Sequence, residues 1–224
     1  MGASTDERKL TIDVISDVVC PWCFVGRRRL GAALALLAQR RPDIVPVVSW
    51  HPFQLNPDLP REGIDRRAYL EAKFGSAERI ELVRARISAI GDAVGIEFAF
   101  DRITMQPNTL DAHRLISWAQ ARGGAEDVVE RLFRAYFLEG RNVGERATLI
   151  DVAGGAGFDR DEASAMLASE HGGEEVATMD RRVRELGVNG VPFFIFDGKV
   201  AVEGAQEPEI LLDAMLQSLE DVRA

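Results

Sequence analysis

Cys20 and Cys23, in the run Cys20-Pro21-Trp22-Cys23, are the only two cysteines among 224 residues. Two intervening residues let the sulfurs close a small disulfide ring or share a metal ion. A metal would need more ligands, and there is no third cysteine. His51 with His113 or His171 would have to complete a zinc site, and their spacing matches no usual zinc pattern. The pair therefore reads as a dithiol–disulfide couple that exchanges electrons with other thiols. No metal and no tightly bound cofactor is expected.

The position of the pair says which sulfur does what. Proline is favoured at the first position of a helix, where its missing N–H is not needed. With Pro21 there, Cys20 becomes the N-cap and its sulfur faces the unpaired N–H groups of the first turn. The helix dipole adds roughly 0.3–2 kcal/mol in favour of an anion at that end. Cys23 lies inside the first turn and is more sheltered. Cys20 is thus expected to attack a disulfide and Cys23 to resolve the mixed disulfide. Asp17, three residues before Cys20, could shuttle the Cys23 proton, cap the helix start or stay solvated.

The elements that must hold this pair can be read around it. Leu10, Ile12, Val14, Ile15, Val18 and Val19 predict a central strand ending just before Cys20. Leu30, Leu34 and Leu37 predict a helix from Trp22 to Arg40, broken at Pro42-Asp43. Ile44 to Phe53 predicts a second strand, so residues 10–53 make a βαβ unit. From Asn56 to Gly187 strand signals nearly vanish. Amphipathic helices are expected through Ile80–Val94, Leu110–Ala121, Val128–Phe137, Thr148–Ala156, Glu162–Ser169 and Glu174–Leu186, the last closed by Gly187. Phe133, Tyr136 and Phe137 belong to the core of this block. Strands return at Val191–Phe196 and Lys199–Glu203, joined by a two-residue hairpin turn at Asp197-Gly198. A closing helix spans Pro208–Leu219. The order predicts an α/β fold: a thioredoxin-like domain of residues 10–56 and 175–222, interrupted by a large all-helical insertion, residues 57–174.

Gly190-Val191-Pro192 is the second chemical signal. A proline at the head of an apolar strand forfeits a ladder hydrogen bond. It is either a plain trans strand opener or a cis bond beside the dithiol, with the Val191 backbone free to meet an extended peptide or glutathione. Arg27, Arg28 and Arg29 form a solvated face or attract glutathione carboxylates. Trp50, His51 and Phe53 are core or cleft floor.

Composition excludes some classes. The formal net charge is −9, which argues against nucleic acid and anionic membranes as partners. No apolar run nears the roughly 18 residues of a membrane span. The polar start, Met1 to Lys9, has no apolar signal region, so a cytoplasmic location is expected. There, two cysteines are too few for a scaffold and suit a catalytic or sensing role.

The stretches Ser16–Gly26, Trp50–Pro57, Asn108–Leu115, Gly187–Phe194 and Gly204-Ala205-Gln206 together resemble the DsbA-like oxidoreductases of the FrnE subgroup. That group is similar to the 2-hydroxychromene-2-carboxylate isomerases and the kappa-class glutathione transferases. The resemblance covers residues 10–220 in order. It implies a thioredoxin fold with a helical insertion, dithiol–disulfide chemistry and a cis bond before Pro192. It implies that Pro21, Trp22, Val191 and Pro192 border the substrate, and it brings Asn108 and His113 near the dithiol as further substrate-binding candidates. Glutathione enters as reductant or co-substrate, and a homodimer is compatible. Two departures matter. The isomerases and transferases carry serine where Cys20 stands, and periplasmic DsbA oxidants carry a histidine between the cysteines, where this chain has Trp22. Both favour a disulfide reductase or isomerase in a reducing compartment, acting on protein disulfides or small thiols. A glutathione-dependent isomerase of a small aromatic or polyketide-like molecule, and a redox-sensing peptide-binding or chaperone-like module, are the alternatives.

Overall fold

The computed structural model describes residues 8–220. A four-stranded sheet lies at its centre. Strand β1 (Arg8–Ser16) pairs in parallel with β2 (Ile44–Pro52), from Arg8 opposite Ile44 to Ser16 opposite Pro52. On its other side β1 pairs antiparallel with the short strand Phe193–Phe196 (β5), which pairs antiparallel with Val200–Glu203 (β6). Helix α1 (Pro21–Arg40) connects β1 to β2, so the first half is the βαβ unit that the sequence predicts.

The two faces of the sheet bury different residues. Leu10, Ile12 and Val14 point to one face, with Phe194 and Phe196 beside them and α1 and the last helix (Pro208–Leu219) over them. Ile15 points to the other face, where it meets Phe53, Val183 of the helix Gly173–Glu185 and Val188 just after that helix. Alternation along β1 thus supplies both layers, as a period of two requires.

Between β2 and the Gly173–Glu185 helix lies the insertion. It runs through Arg66–Phe74 (α2), Ala77–Ala93 (α3), Leu110–Gln120 (α4), Ala125–Phe137 (α5), Arg146–Gly155 (α6) and Arg160–Ala168 (α7); Gly173–Glu185 is α8 and Pro208–Leu219 is α9. The insertion is not wholly helical. Ile64–Asp65 (β3) and Met105–Gln106 (β4) form a two-stranded ladder, with Ile64 opposite Gln106 and Asp65 opposite Met105. This ladder ties the start of α2 to the approach of α4. Helix α2 itself escapes sequence reading because only Leu70 along it is buried.

Several boundaries differ from the sequence prediction; β5, for one, starts at Phe193 and not at Val191. Strand β1 ends at Ser16, because Asp17–Val19 turn and the Cys20 N–H bonds the Asp17 carbonyl at 3.0 Å. Val18 and Val19 stay apolar because the turn is buried. In the hairpin, Asp197 and Gly198 both have positive φ, 52° and 67°, as a primed turn demands. Pairing resumes only with Val200 opposite Phe196, so Lys199 lies outside the ladder and the connection has one extra residue.

An aromatic cluster locks α1 to the insertion. Phe24, directly after Cys23, stacks on Phe133 of α5 with centroids 5.0 Å apart and planes 7° apart. Phe98 meets Phe24 and Phe137 edge-on, the favoured alternative to stacking. The largest apolar cluster is continuous from β1 through α1 into α4–α7.

Candidate active site

Pro21 occupies the first position of α1 and Cys20 its N-cap, with extended φ/ψ of −93° and 114°. The Cys23 N–H bonds the Cys20 carbonyl at 3.0 Å, which starts the helix. Both cysteines are free thiols and buried, Cys20 at 5% and Cys23 at 1% exposure. The Cys20 thiol donates to the Val191 carbonyl at 3.6 Å. The Val191–Pro192 bond is cis. Pro192 passes its own carbonyl to the Gly204 N–H at 2.8 Å, so the loop is anchored to the end of β6 while Val191 faces the sulfur. Gly26 lets this approach happen: a Cβ there would lie 2.8 Å from Pro192 Cγ.

Cys23 has a different setting. Burial pushes its thiol well above its ordinary pKa, and the hydrogen bond and electrostatic influence of the neighbouring Cys20 push the same way; the Ser16 hydroxyl and the Asp17 backbone oppose them. The contact with Ser16 is too loose to satisfy its Oγ, which has no well-formed hydrogen bond.

Behind Cys23 sits a buried polar group. Asp17 is fully buried and accepts the Leu55 N–H through Oδ2 at 2.8 Å. Its Oδ1 lies 3.3 Å from His113 Nε2. The two atoms are close enough for an ion pair but not aligned as a hydrogen bond, and neither has another partner. Ser16 and His113 both line a void of about 10 Å³, near the size that holds one water. His113 therefore stands behind the thiols, not in front of them.

In front of Cys20 opens an apolar cleft of about 370 Å³, which Pro21, Trp22 and Val191 border. Its far wall comes from α2 and α3, through Tyr69, Leu70, Phe74, Ile80 and Ile87. Arg66 and Gln106 also line it, and the two side chains are hydrogen-bonded to each other.

Other sequence candidates are placed elsewhere. Asn108 does not line the cleft. Its amide donates to the Leu59 carbonyl at 2.8 Å, and its oxygen accepts from the Leu110 N–H at 3.0 Å and from Gln54 at 3.3 Å. It fastens the 54–59 loop to the start of α4, a job that a short side-chain amide does well. Arg27, Arg28 and Arg29 are neither solvated nor in the cleft. Arg27 and Arg28 share Glu130 of α5, each at 2.6 Å, and Arg29 meets Glu207 and the Ala205 carbonyl. Trp50 is buried and donates to Glu126 at 2.7 Å. Phe53 is buried beneath the Arg184 guanidinium, 3.9 Å from the ring centre. His51 pairs with Asp13 at 2.7 Å on the sheet. Among the described residues, no group of three or more His, Cys, Asp or Glu side chains is arranged to hold a metal.

The sequence reading missed Ser16 and Arg66. Ser16 looks like an ordinary strand end, and only the turn after it aims the hydroxyl at Cys23. Arg66 starts the helix that has no readable apolar stripe.

A sheet with one parallel and two antiparallel pairings, and two cysteines at the start of the first helix facing a cis-proline loop, define a thioredoxin-like protein. The DSBA-like thioredoxin domain family matches residues 11–216, and the chain belongs to that family. A probable DsbA oxidoreductase of Streptomyces coelicolor is 31% identical and superposes with a TM-score of 0.84, covering 96% of this chain and 95% of its own. The uncharacterized protein YwbO of Bacillus subtilis is 25% identical over 205 residues, 91% of this chain and 94% of YwbO. The cytosolic disulfide reductase DsbM of Pseudomonas aeruginosa shares the fold, with a TM-score of 0.64 at 22% identity over 92% of this chain and 98% of DsbM. Among the described residues, no helix is long and apolar enough to cross a membrane.

Proposed function

We propose that the protein is a thiol-disulfide oxidoreductase of the reductase or isomerase type, with Cys20 as nucleophile and Cys23 as resolving thiol. The observation that carries this is the contrast between the thiols. Cys20 caps the helix and faces the cleft, whereas burial holds Cys23 protonated. The Cys20 thiolate attacks a substrate disulfide, forms the mixed disulfide and releases one thiol. Cys23 then loses its proton, attacks Cys20 Sγ and releases the second thiol. The enzyme is left with a Cys20–Cys23 disulfide and the substrate has gained two electrons.

The Cys23 proton has a way out. Ser16 lies beside the thiol, and a water in the void between Ser16 and His113 would extend the path to the Asp17–His113 pair. Asp17 thus acts in proton relay and Asp17 with His113 in positioning, while Pro21, Trp22, Val191 and Pro192 meet the substrate. Glutathione or a protein dithiol recycles the enzyme. A reducing compartment, the cytoplasm, suits a chain whose two cysteines both serve the reaction.

The test is the equilibrium of the Cys20–Cys23 disulfide across a glutathione redox series, read by alkylation and mass. A reversible two-electron transition is expected. Failure to form an intramolecular disulfide at any poise would remove the reading. The apolar cleft would then favour a glutathione-dependent isomerase or transferase of a small aromatic molecule, with saturable glutathione binding and no disulfide turnover.

A further inference from the structure

Three cationic side chains line the cleft in front of Cys20, and their partners differ. Arg84 is paired with Glu81 at 3.1 Å and Asp101 at 3.2 Å. Lys73 stands exposed at the rim, with its ammonium 3.1 Å from the Tyr69 hydroxyl. Arg66 is half-buried and has no carboxylate partner among the described residues. Its guanidinium bonds only the neutral Gln106 side chain and lies over the rings of Tyr69 and Tyr136, 5.5 and 5.9 Å from their centres. A cation drawn out of water without an anion is costly. The cleft holds one at its wall while the rest of its lining is mainly apolar.

Access to the sulfur restricts the substrate as well. Cys20 is 95% covered, at 5% exposure, and a cleft of about 370 Å³ is at the small end of sites for low-molecular-weight ligands. The disulfide of a folded protein, hemmed in by its own backbone, fits such a space poorly. A small disulfide with an apolar body and one acidic group fits it well.

Resting on the oxidoreductase reading, we infer that the cleft selects low-molecular-weight disulfides that carry an apolar, preferably aromatic, body and a carboxylate, and that Arg66 is the residue that reads the carboxylate. Leu70, Ile80 and Ile87 receive the apolar body, since the Lys73 ammonium already lies over the Tyr69 and Phe74 rings, 5.4 and 5.8 Å from their centres. The reaction balances as one disulfide plus the enzyme dithiol giving two small thiols plus the Cys20–Cys23 disulfide. An external thiol reductant, such as glutathione or dithiothreitol, returns two electrons and two protons.

The experiment uses the full chain with dithiothreitol as reductant and two isosteric probes, bis(4-carboxyphenyl) disulfide and bis(4-carbamoylphenyl) disulfide. Release of aryl thiol gives kcat/KM for each, after subtraction of the uncatalysed exchange. The carboxylate probe should be preferred about tenfold to a hundredfold, the size of one charge-assisted hydrogen bond. That ratio should fall towards one in Arg66→Gln and be partly restored in Arg66→Lys. Equal turnover of the two probes by the native chain, or an unchanged ratio in Arg66→Gln, overturns the inference and leaves the oxidoreductase reading standing. If Arg66→Gln does not fold, the native ratio decides, together with its decline as salt rises. A kcat/KM for insulin disulfides above that for the carboxylate probe also overturns it. Turnover of neither probe, in a chain that forms no Cys20–Cys23 disulfide, removes the oxidoreductase reading instead.

Discussion

The two sulfurs are three residues apart, yet they look out on opposite kinds of surroundings. Cys20 faces an apolar cleft, with the Val191 carbonyl and the helix N-terminus as its polar company. Cys23 faces inward, towards Ser16, Asp17 and His113, three buried polar residues with unsatisfied atoms. On the proposed function fold and reaction order are linked: the cleft side would bring substrate to one thiol, and the inner side would manage the proton of the other. The same helix turn presents both, because residues three apart lie almost on one face but at different depths.

The largest effects should come from the sulfurs themselves. Cys20→Ser should reduce disulfide turnover to background. Cys23→Ser should keep the first attack and accumulate a mixed disulfide on Cys20, seen as a mass increase that reductant reverses. If both variants were merely slow and neither trapped substrate, the contrast between the thiols would have no chemical meaning.

pH separates the two sides next. The Cys23 pKa is raised by burial first and Cys20 second, so the rate of resolution should climb about tenfold per pH unit through the neutral range. Stability should follow the same sign. A thiol whose pKa is raised on folding binds its proton more tightly in the folded state. Its contribution is complete below the ordinary thiol pKa and is lost as pH rises towards the folded value. Thermal melts of the reduced protein should therefore decline above the ordinary thiol range, and less so in Cys23→Ser.

Asp17→Ala acts first on the inner side, and only through Leu55 on the cleft. It leaves the buried Leu55 N–H without its acceptor and His113 without its neighbour, at a cost of about 1–3 kcal/mol. Resolution should slow while alkylation of Cys20 barely changes. Urea unfolding and stopped-flow release of the second thiol check the two halves. Asp17→Asn keeps an acceptor for Leu55, so it should recover stability without recovering the rate.

Gly26→Ala acts on the cleft side alone. The new methyl would press on the Pro192 ring at 2.8 Å, and overpacking costs about 1–3 kcal/mol. Better helix propensity returns about 0.5–1 kcal/mol. A net loss of about 1 kcal/mol is expected in denaturant melts, with weaker substrate capture but unaltered pH dependence of resolution.

Particular elements show how much could be read in advance. The Cys20–Cys23 pair, its N-cap position and the βαβ unit around it are local features of composition and period, and the structure has them where expected. Val191-Pro192 left two backbone states open until the resemblance was added. Contacts across the insertion were not legible. Arg27 and Arg28 sit on a helix that looks solvated in sequence, but Glu130, about a hundred positions away, draws both in. Asn108 carries the same lesson: its partners lie on the 54–59 loop, so it clamps the frame of the site. His113 could be listed as near the thiols, but only the fold shows it behind them and against Asp17. Helix α2, with one buried residue, gives no periodic signal, so Arg66 and the far wall of the cleft were hidden with it.

The most direct test of the contrast is the rate at which iodoacetamide alkylates each cysteine of the reduced native protein, followed site by site by mass at neutral pH. The account predicts that Cys20 is labelled first and that Cys23 stays protected until Cys20 is blocked or the protein unfolds. Equal labelling, or faster labelling of Cys23, would contradict it.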